Sequence, residues 1–263
     1  MPNLITAQPA WKSPRSESPR LSADVIPRER VTPSDREEMY QLLEAYFQNT
    51  SAQQFAHDLA EKDIVILLRD PEDARVVGFS TLMKIDTTIE NRNVTGFFSG
   101  DTIIAREHWG SSLLARLWIT TVVRQADCIR EHSPDTLFYW FLISAGYKTF
   151  RYLPTFFVAY SPHPEGPPSL FDRQVVRTLA TKKFGDDYDA DAGIVRLARA
   201  NPLRPGVAEV TDRRLRDPLV DFFVRMNPGH AQGDELACLV PISRSNLTPA
   251  GQRMLKAGSQ ECI

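Results

Sequence analysis

The chain is poor in several things, and each scarcity removes a class of protein. It has only three cysteines, Cys128, Cys238 and Cys262, which are odd in number and far apart. That usage fits neither a disulfide framework nor a cysteine-rich metal site, and it suggests a reducing compartment. Charge of one sign is also missing, because 31 Lys and Arg stand against 33 Asp and Glu, leaving a formal charge of −2. No Lys/Arg stripe is interleaved with aromatics, so a nucleic-acid partner is not expected. Long apolar runs are absent as well. Leu137–Ile143 is among the longest and is far too short to cross a bilayer. The opening MPNLITAQPAWKS lacks the apolar centre of a signal peptide. No G-x-S-x-G elbow occurs, which disfavours a Ser-His-Asp hydrolase, and no internal repeat has a solenoid period. A soluble, cytoplasmic protein is the expectation. At 263 residues and 42 % hydrophobic, the chain can bury one large core or two small ones.

What is present concentrates between Val76 and Leu117. VVGFSTLMKID and TGFFSGDTIIA are strand-like runs rich in β-branched and aromatic residues, joined by the polar TIENRNV turn. The second run passes through REHWGSS into a helical pattern carrying Leu113, Leu114, Leu117 and Trp118. A strand that stops at a short loop and opens a helix leaves unpaired N–H groups at the helix start. Together with the helix dipole they suit an anion such as a phosphate. The same passage also reads as an ordinary helix start, since Ser111 or Ser112 can cap it unaided.

Upstream, residues 1–22 read as a mobile tail. Val25–Val31 is a strand candidate that Pro27 would place at an edge. Pro33 suits a first helical position, with Ser34 and Glu37 at capping-box spacing, and Thr50 with Gln53 opens a second helix. Asp63–Arg69 is a strong strand, turned back by DPEDAR into the Val76 strand. Downstream, the central helix runs to about Arg130, and Thr136–Ser144 has the continuous apolar character of a strand buried on both faces. Gly146–Leu153 reads as a short helix stopped by Pro154, and Thr155–Tyr160 as a further strand. After the Pro-rich break at Pro162–Pro168, Leu170–Phe184 is an amphipathic helix with Leu170, Val175, Val176 and Leu179 inward. Ile194–Leu197 is a weak strand, Pro218–Met226 a helix, Glu235–Ile242 a clearer strand and Thr248–Lys256 a terminal helix.

This order of elements resembles the GCN5-related N-acetyltransferase (GNAT) superfamily, over roughly Val25 to Tyr160. The resemblance implies an α/β (α+β) fold with a mixed, mainly antiparallel central sheet flanked by helices. It divides the chain into a tail (1–22), an acyltransferase core (23–161) and a C-terminal extension (162–263), whose Glu235–Ile242 could provide the final strand. It further implies an acyl group moved from a thioester carrier, acyl-CoA or acyl carrier protein, to a small-molecule amine, without a metal. The reading leaves room for a homodimer. The pantetheine-contacting strand would be Thr102, Ile103, Ile104 and Ala105. The phosphate loop would fall on Trp109, Gly110, Ser111 and Ser112, in a register starting at either Glu107 or Trp109.

Chemistry in such a site needs a base for an amine that is mostly protonated at neutral pH, and an acid for the departing thiolate. Asp101, after Ser99-Gly100, is the base candidate, its plainer reading being a turn residue. His108 lies in the loop and could titrate near neutrality, or be a surface residue. Tyr147, after Gly146, is the acid candidate, or a packing residue among Phe150 and Tyr152. Asp187, Asp189 and Asp191 alternate as in a calcium loop, yet Ala192 and Ala198 stand where Gly and Glu are needed, which leaves a solvated acidic turn. Asn227–His230 and Gly233–Glu235 read as a chain reversal, or as a turn that brings His230 and Asp234 to an acceptor pocket. A scaffold that has lost its cofactor loop and binds a metabolite or partner protein is the non-enzymatic alternative.

Overall fold

A computed structural model describes residues 21–256; the tail expected over 1–22 lies almost wholly outside the described residues. The first strand, β1 (Ser22–Pro27), starts at the second described residue and pairs only with β2 (Ile64–Arg69) among them. Pro27 therefore sits on an edge strand, where its missing N–H costs no ladder bond. Between these strands lie α1 (Pro33–Tyr46) and α2 (Ala52–Ala60). Their caps differ from the expected ones. Thr32 caps α1 in a reciprocal box with Asp35, because Pro33 fills the first helical position and moves the third to Asp35. Ser51, one residue later than expected, caps α2 through the Gln54 N–H.

β3 (Val76–Ile89) and β4 (Arg92–Ile104) form the long hairpin. Glu90 and Asn91, at φ of 50° and 61°, make the two-residue turn between paired Ile89 and Arg92. Positive φ at both turn positions gives the twist that closes such hairpins. After β4 comes α3 (Leu113–His132), then β5 (Leu137–Ser144), which runs parallel to β4. Two short helices follow, α4 (Tyr147–Phe150) and α5 (Tyr152–Phe156). Pro154 falls in the first turn of α5, where its missing N–H is tolerated, so the helix continues and no strand forms over Thr155–Tyr160. That segment contributes one isolated bridge, Phe157 to Leu247, and Ser161 just after it bridges to Leu239.

The remaining elements are α6 (Leu170–Phe184), the two-residue strands β6 (Tyr188–Asp189) and β7 (Ile194–Val195), α7 (Asp212–Leu215), α8 (Pro218–Met226), β8 (Glu235–Pro241) and α9 (Pro249–Lys256). α6 buries Val175, Leu179 and Ala180, whereas Leu170, expected inward, is 74 % exposed at its first position. The sheet order is β1-β2-β3-β4-β5-β8-β7-β6, and only the β4–β5 pair is parallel. Strand β8 lies beside β5, as expected if the extension supplies a final strand to the sheet.

Alternation along the strands sorts the side chains to two faces. On one face, Phe98, Tyr139 and Phe141 pack under α6, while Phe79 and Ile103 pack under α1 and α2. On the other, Phe97, Phe138, Trp140 and Leu142 pack against Trp118, Ile119 and Val122 of α3. Gly96 lets α6 approach, since a Cβ there would meet a Leu179 methyl at 2.7 Å. Cys238 is a buried free thiol, while Cys128 is disulfide-bonded, which the sparse cysteine usage did not lead one to expect. No helix among the described residues is long and apolar enough to cross a membrane.

Candidate functional site

β4 is paired on both sides only as far as Ser99, which faces Leu142 of β5. Beyond that point β4 stays on β3, through Ser80–Thr102 and Gly78–Ile104, while β5 continues on β8 through Ser144–Leu236. The two parallel strands have come apart. A bulge on the other side of β4 accompanies the split, because Leu82 faces Ser99 and Ser80 faces Thr102, leaving Thr81 opposite both Gly100 and Asp101. Bulges re-aim side chains and bend the strand away from its partner. A cavity of about 910 Å³ opens at the split and is lined from both faces of the sheet.

Its α3 side is aromatic, with Trp118, Trp140, Tyr152 and Phe156. The Trp140 indole N–H donates to Ser99 Oγ at 2.8 Å, which fixes the ring at the mouth of the split. Its opposite side is charged and carries Asp101, Glu235, Lys62, Lys183, Glu61 and Asp58. Gly100 lies under the Lys62 side chain, and a Cβ there would stand 2.7 Å from Thr81 Oγ1 and 3.0 Å from Lys62 Cε. Glycine is thus required by close approach of neighbours, and its φ is not positive.

Burial raises the Asp101 carboxyl above the usual carboxylate range, and the nearby Lys62 charge opposes that rise. Burial together with the Asp101 charge pushes Glu235 up to about 8. Ionising Asp101 therefore makes ionising Glu235 harder. Burial and the Lys183 charge lower the Lys62 ammonium.

The expected site residues fall into separate groups. Asp101 and Thr102 line the cavity; Ile103 turns into the core beneath α1, and Ala105 is buried on the α3 face. The Ile104 carbonyl accepts the Trp109 indole N–H at 2.9 Å, and neither residue lines the cavity. Trp109 is 39 % exposed, with Lys148 Nζ 3.6 Å and Arg106 Cζ 5.1 Å from its ring centre. Ser111 Oγ accepts the Leu113 N–H at 3.2 Å, which is the capping role. Ser112 holds the cap position but makes no side-chain cap bond. Gly110 faces open space and has no steric reason to be glycine. None of Trp109, Gly110, Ser111 or Ser112 lines the cavity; the first turn of α3 reaches it through Leu114 and Ala115. Their N–H groups have no backbone acceptor among the described residues.

His108 sits in a single turn of 3-10 helix, Arg106–His108, away from the cavity. Tyr147 is 4 % exposed in the core, so packing holds it, and Tyr152, five residues on, is the phenol at the cavity. His230 and Asp234 lie off the cavity too. His230 Nδ1 meets Asn227 O at 2.9 Å and Asn227 Nδ2 donates to Asp234 O at 2.8 Å, so this turn reverses the chain. In the acidic turn, Asp189 Oδ1 accepts the Asp191 and Ala192 N–H groups and Oδ2 pairs with Arg196 at 2.6 Å, leaving no calcium cradle.

The residues missed in the sequence are Lys62, Glu235 and Tyr152. Lys62 and Glu235 each stand at or just before the start of an apolar strand. A charge there ordinarily ends in solvent, and only the sheet order makes these two converge.

The mixed, mainly antiparallel sheet flanked by helices is the one the resemblance implied, so the fold is GNAT-like. No family model and no curated protein matches the chain. Among solved structures, it is similar to the GNAT family N-acetyltransferase YhbS from Escherichia coli, in complex with CoA. Identity there is 16 %, covering 51 % of this chain and 68 % of that one, with a TM-score of 0.36. It is likewise similar to Arabidopsis thaliana NAA60 in complex with acetyl-CoA, at 13 % identity, 53 % and 87 % coverage and a TM-score of 0.37. A conserved protein of unknown function from Enterococcus faecalis V583, a "Probable N-Acyltransferase", matches at 12 % identity and a TM-score of 0.38. That match covers 51 % of this chain but only 33 % of the other, about a third of its length.

Proposed function

We propose that the split between β4 and β5 is the transfer site of an N-acyltransferase, with a thioester donor on the α3 side and an amine acceptor on the charged side. The observation that carries this reading is the cavity itself, which passes through the sheet where one strand edge is left unpaired and a carboxyl pair waits behind it. The free edge of β4 keeps the Thr102 backbone available to an extended pantetheine arm, as a missing strand would be. The Leu114 and Ala115 amides begin a twenty-residue helix whose dipole favours an anion. Arg106, Lys148 and Arg214 gather near this end; none forms an ion pair among the described residues, and the charges of Arg106 and Arg214 help burial to lower Lys148. Crowded cations suit a diphosphate. The aromatic wall of Trp118, Trp140 and Phe156 suits the acyl group.

In the transfer, the acceptor nitrogen attacks the thioester carbon, the N–C bond forms and the C–S bond breaks. The Asp101–Glu235 pair takes the proton from the ammonium, and the departing thiolate takes one from Tyr152 or water. Burial holds the Tyr152 phenol above its ordinary value, which keeps it protonated until the thiolate forms.

A second reading rests on the Trp109 indole, which already occupies the Ile104 carbonyl. A scaffold that no longer takes a donor and binds a metabolite or partner protein would tolerate that bond on the strand end. The experiment that separates the readings follows thiol release from acetyl-CoA and longer acyl-CoAs with a mixture of amines, on wild type and on Asp101→Asn. Release by wild type that falls about 10²-fold in the variant supports transfer. No release and no thermal stabilisation by any acyl-CoA or acyl carrier protein supports the scaffold.

A further inference from the structure

Lys62 is 5 % exposed, and no ion pair joins its ammonium to a carboxylate among the described residues. Its setting explains why this is unusual. Lys183, the other cation on this wall, is tied directly to Glu61, and Glu61 is also within reach of His57 at 3.8 Å. Asp101 and Asp58 are close enough to be felt by Lys62 as charges but not to pair with it. The cation lies over the Phe98 ring, with Nζ 5.2 Å from its centre. Burying an ammonium without a partner is costly, and chains seldom retain one unless a ligand supplies the missing anion.

The same charged side carries Asp101 and Glu235, two carboxyls that no cation pairs with among the described residues. The ammonium there lacks a bound anion, and the carboxyls lack a bound cation. A simple amine would answer the carboxyls and leave Lys62 unanswered. A zwitterion answers both, because its carboxylate reaches the lysine while its ammonium faces the pair that removes the proton.

We infer that the acceptor is an amine bearing a carboxylate, an amino acid, held with its carboxylate on Lys62 and its amino group toward Asp101 and Glu235. The inference rests on the transfer reading for the fate of the amine but not for its binding. Charge-assisted contact to the buried ammonium would make the carboxylate a major determinant of affinity. Lys62 here is a positioning and specificity residue, since it touches the acceptor's carboxylate and no reacting atom.

The test is a calorimetric titration of the full chain with each of the twenty L-amino acids and with the decarboxylated amine of each. At least one amino acid should bind about tenfold or more tighter than its amine. Lys62→Gln should abolish that preference, and Lys62→Arg should retain part of it. Should Lys62→Gln fail to fold, by far-ultraviolet circular dichroism, the wild-type preference over the matched amine and its retention in Lys62→Arg decide the matter. Equal binding of amine and amino acid, a preference surviving in Lys62→Gln, or no binding of any amino acid would overturn the inference. Failure of the transfer reading looks different. Lys62-dependent amino-acid binding without thiol release from any acyl-CoA would leave this site standing and remove catalysis. Thiol release with amines but never with amino acids would do the reverse.

Discussion

Strand β4 is two strands in one, and its halves differ in what they are for. From Val94 to Ser99 it is paired on both edges and buried, with Phe97 stacked on Phe138 and Phe98 against Phe141 and Phe184. From Gly100 to Ile104 it has one partner, a bulge, a carboxyl under strain from burial and an open edge. The first half satisfies every local rule of a sheet. The second departs from them within five residues, and the departures coincide with the cavity. Stability and chemistry should therefore separate cleanly along this strand.

The largest effect is expected in the paired half. Phe97→Ala, at 1 % exposure, should cost about 3–5 kcal/mol and be visible as a large drop in Tm. A loss below 1 kcal/mol would mean that the half is not the core it looks to be. In the open half, Asp101→Asn should leave Tm nearly intact while turnover at neutral pH falls about 10²-fold. An unchanged rate removes Asp101 from the mechanism.

Next in size is the pH response of Glu235. The unfolded carboxyl titrates near 4.5 and the folded one at about 8, so between these values the folded chain holds more protons. This group's stabilising share is complete below that window and is lost as pH rises through it. Melting curves from pH 5 to pH 8 should show a decline in wild type that Glu235→Gln removes. Parallel decline in both proteins would deny the raised value. Over the same window activity should climb as the pair deprotonates. The smallest effect is that of Trp109→Ala, which frees the Ile104 carbonyl at a cost of about 1 kcal/mol. It should lower the KM for donor if the indole competes for that edge, and leave KM alone if it does not.

Much of this strand could be read from the residues. The hairpin and its Glu90-Asn91 turn, the strand-to-helix passage into α3, and the bounds of α6 and α8 all follow from periodicity and turn chemistry that are local. The errors arise where local rules compete or stop. Thr155–Tyr160 has strand-like residues, but Pro154 is harmless in the first turn of a helix, and the helix prevailed. The caps of α1 and α2 slipped by one or two residues because neighbouring Thr and Ser can each cap. Tyr147 and Tyr152 are indistinguishable in a short aromatic helix until packing sends one to the core and one to the cavity. Lys62 and Glu235 lie far apart in the chain and meet only because β8 lies beside β5, an order that no local pattern encodes.

The account turns on a donor entering the split beside α3, and calorimetry with acetyl-CoA and octanoyl-CoA addresses that directly. Ala115, in the first turn of α3, lines the cavity, so Ala115→Trp should fill the entrance without touching the carboxyl pair. Binding of an acyl-CoA by wild type, lost in Ala115→Trp at unchanged Tm, is the predicted result. Binding that survives the substitution, or none by either protein, would contradict it.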